Sequence, residues 1–534
     1  MIIKAEVKKG VYYDSVSLMQ AARAASAVEE VAECSAVMGT RENKNILNLS
    51  GMLAPEAAAA SDEDLLIVVK ANNLDAASKA LETVNSTLGK NKESDENVSG
   101  KRAFGLDNAL KFLPNVNIAV VSVAGKYAGK LTEKCLDRNI NVFLFSDNVS
   151  LKTEIMLKKK AEEKGLFLMG PDCGTSIING VPLGFANVVR RGNIGIISAA
   201  GTGLQEVSTI ISNEGAGISQ AVGTGSRDIK KEVGGVTFLA GLSALKADNA
   251  TEVVLLVSKP PDWPVMQKIL KEAEGNKPVV AVFLGSDSRK YGGNIIYART
   301  LEEGALKAAY LSMDGSDHKA KERIFDINTQ VEKAAVAEAR RKSKSHKYIR
   351  ALYSGGTYAA EAQVIFSDLG IKTYSNVPLK KGNKLRSSLK LKENSVLDLG
   401  EDEFTVGRMH PMIDYSLRSK MIIEQAKDKS VSVILLDVVL GYGANMNPLT
   451  DLVPAIRESF KNNKGLSIVV SVCGTESDPQ NRNRVTTGLR KEGVLVMPSN
   501  ASATKLAAEI LRYTFKKHRG KKHGRRLVVA GQRK

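Results

Sequence analysis

Two short glycine-rich stretches hold the residues best placed to do chemistry. The first is Ala200, Gly201, Thr202 and Gly203, and the second is Ser354, Gly355, Gly356 and Thr357. Each follows an apolar run, NIGIISA or YIRALY, and opens a helical pattern. Glycine lets the backbone turn sharply and approach a ligand closely. The first N–H groups of a helix have no intrahelical partner, and with the helix dipole they attract an anion. Thr202 and Ser354 or Thr357 add hydroxyl donors. Gln205 and Glu206 begin one helix, and Glu361 lies in the first turns of the other. A single such stretch reads equally well as a tight strand-to-helix connection. Two in equivalent places point to a shared seat for a phosphate or carboxylate.

Other segments offer further groups. TVGRMHPMID (Thr405–Asp414) holds Arg408, a candidate clamp on phosphate or carboxylate. In the same segment His410 is a candidate to polarise a carbonyl or move a proton near neutral pH, with Asp414 orienting it. The alternative is a surface loop with a capping histidine. GPDCGT places Asp172 and Cys173 at a strand end, Asp172 as a substrate-binding or a turn residue. A nucleophilic Cys173 needs a base partner, and none can be named. GTGSRD offers Arg227 to the anion site or is a plain loop. GTESDPQNR offers Glu476, Asp478 and Arg482 to a substrate or a divalent ion. No set of His, Cys and carboxylate residues has metal-site spacing, so no metal is expected.

These residues need a scaffold. Residues 1–95 read as a small α+β domain, with strands at Ile2–Val7, Val31–Met38 and Leu65–Lys70 and helices at Ser15–Ala27 and Leu74–Leu88. Residues 105–190 alternate strand and helix from NIAVVSVAG onward, the pattern of a Rossmann-like parallel sheet. Residues 191–315 and 348–515 form an internal repeat around a charged helix or linker at 316–347. NIGIISAAGTGLQEV parallels YIRALYSGGTYAAEA, TEVVLLVSKPP parallels VSVILLDVVLG, and KPVVAVFLG parallels LSIVVSVCG. ARTLEEGALKAAYL parallels NASATKLAAEIL, and the second copy carries an insert at about Leu385–Asp414.

The chain has 534 residues and a net charge of +18. Ten Lys and Arg fall in residues 512–534, a stretch with no Asp or Glu. Residues 516–534 are expected to be a disordered basic tail, the one candidate for nucleic-acid contact. With a single Trp and no interleaved aromatics, a base-stacking platform is not expected. No apolar run reaches membrane-spanning length, and the four cysteines form no disulfide framework, so a reducing cytoplasm is expected.

The turns NIGIISAAGTGLQEV and SGGTYAAEA, with GPDCGT upstream, resemble those of the α and β subunits of succinyl-CoA synthetase and related acyl-CoA synthetases. The chain is more similar to the FdrA proteins, the fused members that lack an ATP-grasp module. DSVSLM, FSDNVSL, MGPDCGTS, KEVGG, VSKPP, TVGRMHPMID and LLDVVLGYGA carry that resemblance. It implies an α/β fold: a CoA-binding-like Rossmann domain and two flavodoxin-like ligase halves, preceded by the α+β domain. It also implies a subunit of a hetero-oligomeric enzyme that uses phosphate or carbamoyl phosphate and a small acid or amide. The preferred expectation is oxamate carbamoyltransferase of anaerobic allantoin breakdown, with Arg408 and His410 catalytic. An acyl-CoA synthetase component is the alternative, and a non-catalytic anion-binding regulator or scaffold is a third. The superfamily's phosphorylated histidine should fall in RKYGGNIIYA, which has no His, and KRAFGLDNALKFLP lacks the coenzyme A glycine loop. No cofactor is therefore expected with certainty, coenzyme A included.

Overall fold

The computed structural model describes the chain except residues 12, 14, 41–42, 45–46, 49–50, 98–104, 287–294, 406–408 and 531–534. The side chains at 15–16, 19, 23, 90–97 and 519–530 also lie outside the described set. Two compact units form, one of Met1–Ala109 with Glu401–His410, the other of Leu110–Gly400 with Pro411–Lys534.

In the first unit, strands β1 (Ile2–Lys8), β2 (Val31–Met38) and β3 (Leu65–Ala71) make an antiparallel sheet in the order β1-β3-β2. LLIVVKA is apolar without alternation because β3 is central and covered on both faces. Ile67 and Val69 meet Leu18, Ala21, Ala77 and Val84 of the helices Ser15–Ser26 and Leu74–Asn97. Leu66 and Val68 face the other way, toward Leu47, Met52 and Ala57.

In the second unit, β4 (Ile118–Val121), β5 (Asn141–Leu144) and β6 (Leu168–Met169) form a small parallel sheet. The hairpin β7 (Thr175–Ile178) and β8 (Val181–Gly184) follows and joins the sheet of the first repeated half. That half contains β9 (Arg191–Ser198), β10 (Ile218–Gly223), β11 (Val253–Ser258), β12 (Val279–Phe283) and β13 (Ile295–Ala298). The order β13-β12-β11-β9-β10 is the 2-1-3-4-5 winding of flavodoxin-like sheets. The second half contains β14 (Tyr348–Tyr353), β15 (Tyr374–Ser375), β16 (Ser395–Asp398), β17 (Val431–Val439), β18 (Ser467–Cys473) and β19 (Leu495–Met497). It repeats the winding, with β15 added outside β16. The duplication read from the sequence is thus a duplication of topology. One core runs through both halves, joining Ile196, Leu204 and Leu255 to Tyr358, Leu435 and Leu506.

The segment read as a charged helix or linker and the expected basic tail both have regular structure. The charged segment at 316–347 contains the helix His318–Arg341, whose Ile327, Val331 and Ala335 are buried in that core. Where a tail was expected from 516, the helix Asn500–Ala530 continues. Lys517 Nζ reaches the Arg340 carbonyl at 2.8 Å, close to the end of the His318 helix. Part of the insert, Glu401–His410, belongs to the first unit.

Candidate functional site

Both glycine-rich stretches are strand-to-helix turns at the carboxyl ends of central strands, where open parallel sheets bind ligands. The helix Gly201–Asn213 starts after Ala200 (φ −145°, ψ 106°), and the helix Gly356–Asp368 after Gly355 (φ −128°, ψ 127°). Neither start has a side-chain cap. The first intrahelical bond of the Gly201 helix runs from the Leu204 N–H to the Ala200 carbonyl at 2.9 Å. The N–H groups of Gly201, Thr202 and Gly203 therefore precede the helical ladder.

The two turns pack on each other reciprocally. A Cβ on Gly355 would lie 2.6 Å from Thr202 Cγ2, and one on Gly203 would lie 3.1 Å from Thr357 Cγ2. Glycine is required at Gly355 for this approach, not for an unusual φ. The expected pairing of Ala200–Gly203 with Ser354–Thr357 is thus what the structure brings together. Gly201 is exposed and faces Gly174 and Thr175 of the GPDCGT loop, whose atoms lie 3.7 Å from its Cβ direction.

The surroundings of the two turns differ. Helices Val236–Ala247 and Ser416–Lys427 both end at an aspartate that takes an N–H two residues on, Asp248 from Ala250 and Asp428 from Ser430. Counting from that shared end, Phe238 corresponds to Arg418 and Val257 to Asp437. In the first half the Ala199 N–H donates to the Val257 carbonyl at 3.0 Å. In the second, the equivalent Ser354 N–H donates to Asp437 Oδ1 at 2.9 Å, and the Ser354 hydroxyl donates to Asp437 Oδ2. Arg418 Nη1 then binds both Asp437 Oδ1 and the Asp437 carbonyl at 2.8 Å. Arg418 and Asp437 side chains are 0% and 1% exposed. The Arg418 guanidinium stacks 4.2 Å from the Tyr415 ring centre, and burial pushes the Tyr415 hydroxyl up to about 12.

Strand pairing extends the comparison. Gly223 pairs with Ser198 as Asp398 pairs with Tyr353, so Gly223 and Asp398 are equivalent. Cys173 Sγ lies 2.6 Å from a Cβ built on Gly223, so the GPDCGT loop fills that space. In the second half, Asp398 itself lies against the start of the helix, its Oδ2 2.6 Å from a Cβ built on Gly356. A carboxylate there takes up the positive end of the helix dipole. Among the described residues, Ser198, Thr175 and Thr202 line the first turn, and no carboxylate is recorded against its helix start. The Ser354 hydroxyl, expected as a donor to ligand, is committed to Asp437 and offers a ligand only its lone pairs.

Glu206 and Glu361, at the same position in the two helices, are fully buried. Each accepts the first N–H of the other half's last helix. Asn500 N–H donates to Glu206 Oε1 at 2.8 Å, and Leu301 N–H donates to Glu361 Oε1 at 2.7 Å. Tyr358 OH donates to Glu206 Oε2 at 3.2 Å, and Asn500 Nδ2 to Glu361 Oε2 at 2.7 Å. Burial raises both carboxyls, Glu206 to about 7 and Glu361 to about 8. Hydrogen bonds oppose burial in both, and each is raised further by a neighbouring glutamate, Glu302 for Glu206 and Glu206 for Glu361. These glutamates bind the two halves together across a local two-fold relation.

Other expected residues have structural partners. Arg227 Nε lies 2.7 Å from buried Glu154, an ion-pair distance without hydrogen-bond alignment, and its Nη2 donates to the Val149 carbonyl at 2.7 Å. Asp172 is an exposed turn residue with φ 56°. Cys173 is buried, and burial pushes its thiol up to about 12, so no reactive thiolate forms near neutral pH. Asp478 accepts N–H groups of Val188, Thr475 and Asn187 and joins the halves. Asp414 accepts both the N–H and the hydroxyl of Ser416. His410 belongs to the first unit and the turns to the second. Arg408 and the first six residues of RKYGGNIIYA (289–294) lie outside the described residues.

Arg418, Asp437 and Asp398 were not expected. A signal existed: Asp437 interrupts the apolar run VSVILLDVV, and a charge at a buried strand position asks for a partner.

Comparison with known proteins agrees with this architecture. A family profile described as CoA-ligase matches residues 352–510, and one described as AllF, heavy metal-associated domain, matches residues 1–103. The Escherichia coli (strain K12) protein YahF is 36% identical over 518 residues, covering 96% of this chain and 99% of YahF. The chain belongs to the YahF family. Succinate–CoA ligase [ADP-forming] subunit alpha 1 of Archaeoglobus fulgidus is 24% identical over 41% of this chain and 75% of that subunit. Among solved structures, the apo dinucleotide-forming acetyl-coenzyme A synthetase 1 of Ca. Korarchaeum cryptofilum aligns over 75% of this chain and 85% of its own, at 15% identity and a TM-score of 0.32. The fold is a CoA-ligase-like α/β fold, and the general kind it supports is the acyl-CoA synthetase alternative rather than carbamoyl transfer in particular. No helix among the described residues is long and apolar enough to cross a membrane.

Two groups suggested by these relatives can be tested against the residues present. A heavy metal needs soft ligands in the N-terminal unit. Residues 1–103 contain one cysteine, Cys34, and no histidine. Burial pushes the Cys34 thiol up to about 12, so metal does not fit there. Coenzyme A needs a cradle at the start of the Rossmann-like sheet. At the turn after β4 the close approach requires glycine for packing: a Cβ on Gly125 would lie 2.5 and 2.6 Å from the Asp147 and Asn148 carbonyl oxygens. No step below is routed through either group.

Proposed function

We propose that this protein is a component of an acid–CoA-ligase-like enzyme that transfers an acyl group to or from phosphate. The observation that carries this reading is the reciprocal packing of the two turns, which leaves exposed Gly201 at a helix start with no side-chain cap and, among the described residues, no carboxylate recorded against it. In this reading the N–H groups of Gly201, Thr202 and Gly203 hold the phosphoryl oxygens. Because they are fixed before the reaction begins, they stabilise charge that develops in the transition state. The Gly356 turn, with Ser354 held by Asp437, presents an acceptor to the other reactant.

Carbamoyl transfer is a finer version of the same reaction: oxalurate and phosphate give oxamate and carbamoyl phosphate. It is favoured by the histidine distribution. The five histidines are His318, His346, His410, His518 and His523, and none falls in RKYGGNIIYA. Direct attack by phosphate on the carbamoyl carbon needs no phosphohistidine.

Gly201→Asp tests the seat, because it puts a carboxylate at an exposed first-turn position that a helix tolerates well. Calorimetric titration with inorganic phosphate should show binding to the wild type and none to the variant, with unfolding unchanged. Equal binding by both proteins overturns the seat. Assays with oxalurate and phosphate, and with a carboxylic acid, ATP and coenzyme A, each with the neighbouring gene products added, separate the two versions.

A further inference from the structure

The two basic runs of the sequence lie far apart along the chain, yet the second unit brings them together. Lys517 Nζ donates to the Arg340 and Lys342 carbonyls at 2.8 and 3.2 Å, where the helix His318–Arg341 ends. Lys342 Nζ donates in turn to the Ser432 and Gly465 carbonyls at 2.7 Å, and the Lys347 N–H to the Ser430 carbonyl at 2.7 Å. Basic residues therefore gather where β14, β17 and β18 begin. Arg340, Lys344, Lys347, Lys429, Lys464 and Lys516 are exposed, and none has a carboxylate partner among the described residues. The acids beside them, Glu338 and Asp428, already pair with Arg341 and Arg350. The Ser354–Thr357 turn sits at the opposite end of β14.

From this surface the helix Asn500–Ala530 continues, and residues 516–534 contain no Asp or Glu. Lys517, Lys521 and Arg525 are spaced four apart, as are Lys522 and Arg526. Like charges at this spacing repel on a helix, and a polyanion relieves the repulsion. We propose that this helix and the basic surface at its root bind double-stranded DNA through the phosphate backbone, without reading its sequence. At 3.6 residues per turn the sequence distributes basic positions all round the helix axis and gives it no apolar stripe. A helix that lies in a membrane surface needs such a stripe. A single-strand groove needs stacking aromatics, and residues 516–534 contain none. The major groove of B-form DNA admits an α-helix with phosphates on both sides, whereas that of A-form RNA is deep and narrow. Residues 518–530 span about 20 Å as helix, enough to follow the groove while the surface at the root meets the next phosphates.

Fluorescence anisotropy of the full chain with a labelled mixed-sequence DNA duplex, over a salt series, tests this. Binding should weaken with salt, with a logarithmic slope of about −0.9 for each phosphate neutralised. No binding at low salt overturns the proposal. Lys521→Gln, Lys522→Gln, Arg525→Gln and Arg526→Gln together keep good helix formers and remove four charges. This variant should bind at least tenfold more weakly at low salt, with a slope shallower by about 3. Arg340→Gln, Lys344→Gln and Lys464→Gln together should make it shallower by about 2. A slope unchanged by the first set overturns the role of the helix, and one unchanged by the second overturns that of the surface. A duplex of unrelated sequence should bind equally, and a preference above tenfold overturns recognition by phosphate alone. Single-stranded RNA, or vesicles rich in phosphatidylglycerol, bound as tightly as the duplex would overturn the choice of partner.

Discussion

The two repeated halves share a winding, a glycine-rich turn and a buried glutamate, yet they solve one local problem in opposite ways. Both must satisfy the backbone N–H where the central strand leaves the sheet. The first half gives the Ala199 N–H to the Val257 carbonyl and fills the space with apolar groups. The second gives the Ser354 N–H to the Asp437 carboxylate and neutralises it with buried Arg418. A buried ion pair is often no more stabilising than well-packed apolar residues. The second solution is therefore not explained by stability. It places a buried ion pair beside the second turn, whereas the described side chains lining the first, Ser198, Thr175 and Thr202, are neutral hydroxyls. Duplication thus built two matching frames, and divergence gave them different chemistry.

The largest expected effect comes from breaking the second solution. Arg418→Leu leaves Asp437 buried and unpaired and should cost ~3–5 kcal/mol in urea unfolding. The triple change Ser354→Ala, Arg418→Phe and Asp437→Val copies the residues of the first half and should be close to neutral. A triple variant as unstable as Arg418→Leu would show that the halves are not interchangeable at this point.

Gly355→Ala comes next. Its Cβ would press on Thr202 at 2.6 Å, and overpacking of this kind costs about 1–3 kcal/mol. A cost near zero would mean that the turns separate easily.

The glutamates sharpen the comparison through pH. Both folded carboxyls are raised above the ordinary value of 4.5, Glu206 to about 7 and Glu361 to about 8. The folded state thus binds more protons than the unfolded state between those values. Stability from these groups is full at low pH and falls as pH rises from about 4.5 to about 7 or 8. The slope is at most about 1.4 kcal/mol per pH unit per proton. Glu206→Gln and Glu361→Gln should each flatten this part of the stability profile, and to a similar extent. A flattening by only one of them would break the two-fold equivalence.

Gly203→Ala should have the smallest effect. Its Cβ would meet Thr357 at 3.1 Å, and the gain in helix propensity of up to about 1 kcal/mol offsets the crowding. A loss as large as that of Gly355→Ala would contradict the difference between the two glycines.

Periodicity and repetition determined a great deal by themselves. Unbroken apolar strands such as VVLLVS read as central strands of a sheet covered on both faces. The repeated strand–glycine–helix blocks set the duplication, and the turns at Gly201 and Gly355 followed from local backbone chemistry. These features were legible because each depends on neighbours a few residues apart. Tertiary structure alone decided which charged residue meets which. Arg418 and Asp437, or Glu206 and Asn500, are distant in sequence, and only the fold of each half and their mutual packing bring them together. The same physics made Asp398 the neighbour of one helix start and the GPDCGT loop the neighbour of the other. Once water is excluded, the partner of each charge decides what the turn can bind, and partners are set by three-dimensional contact rather than by spacing along the chain.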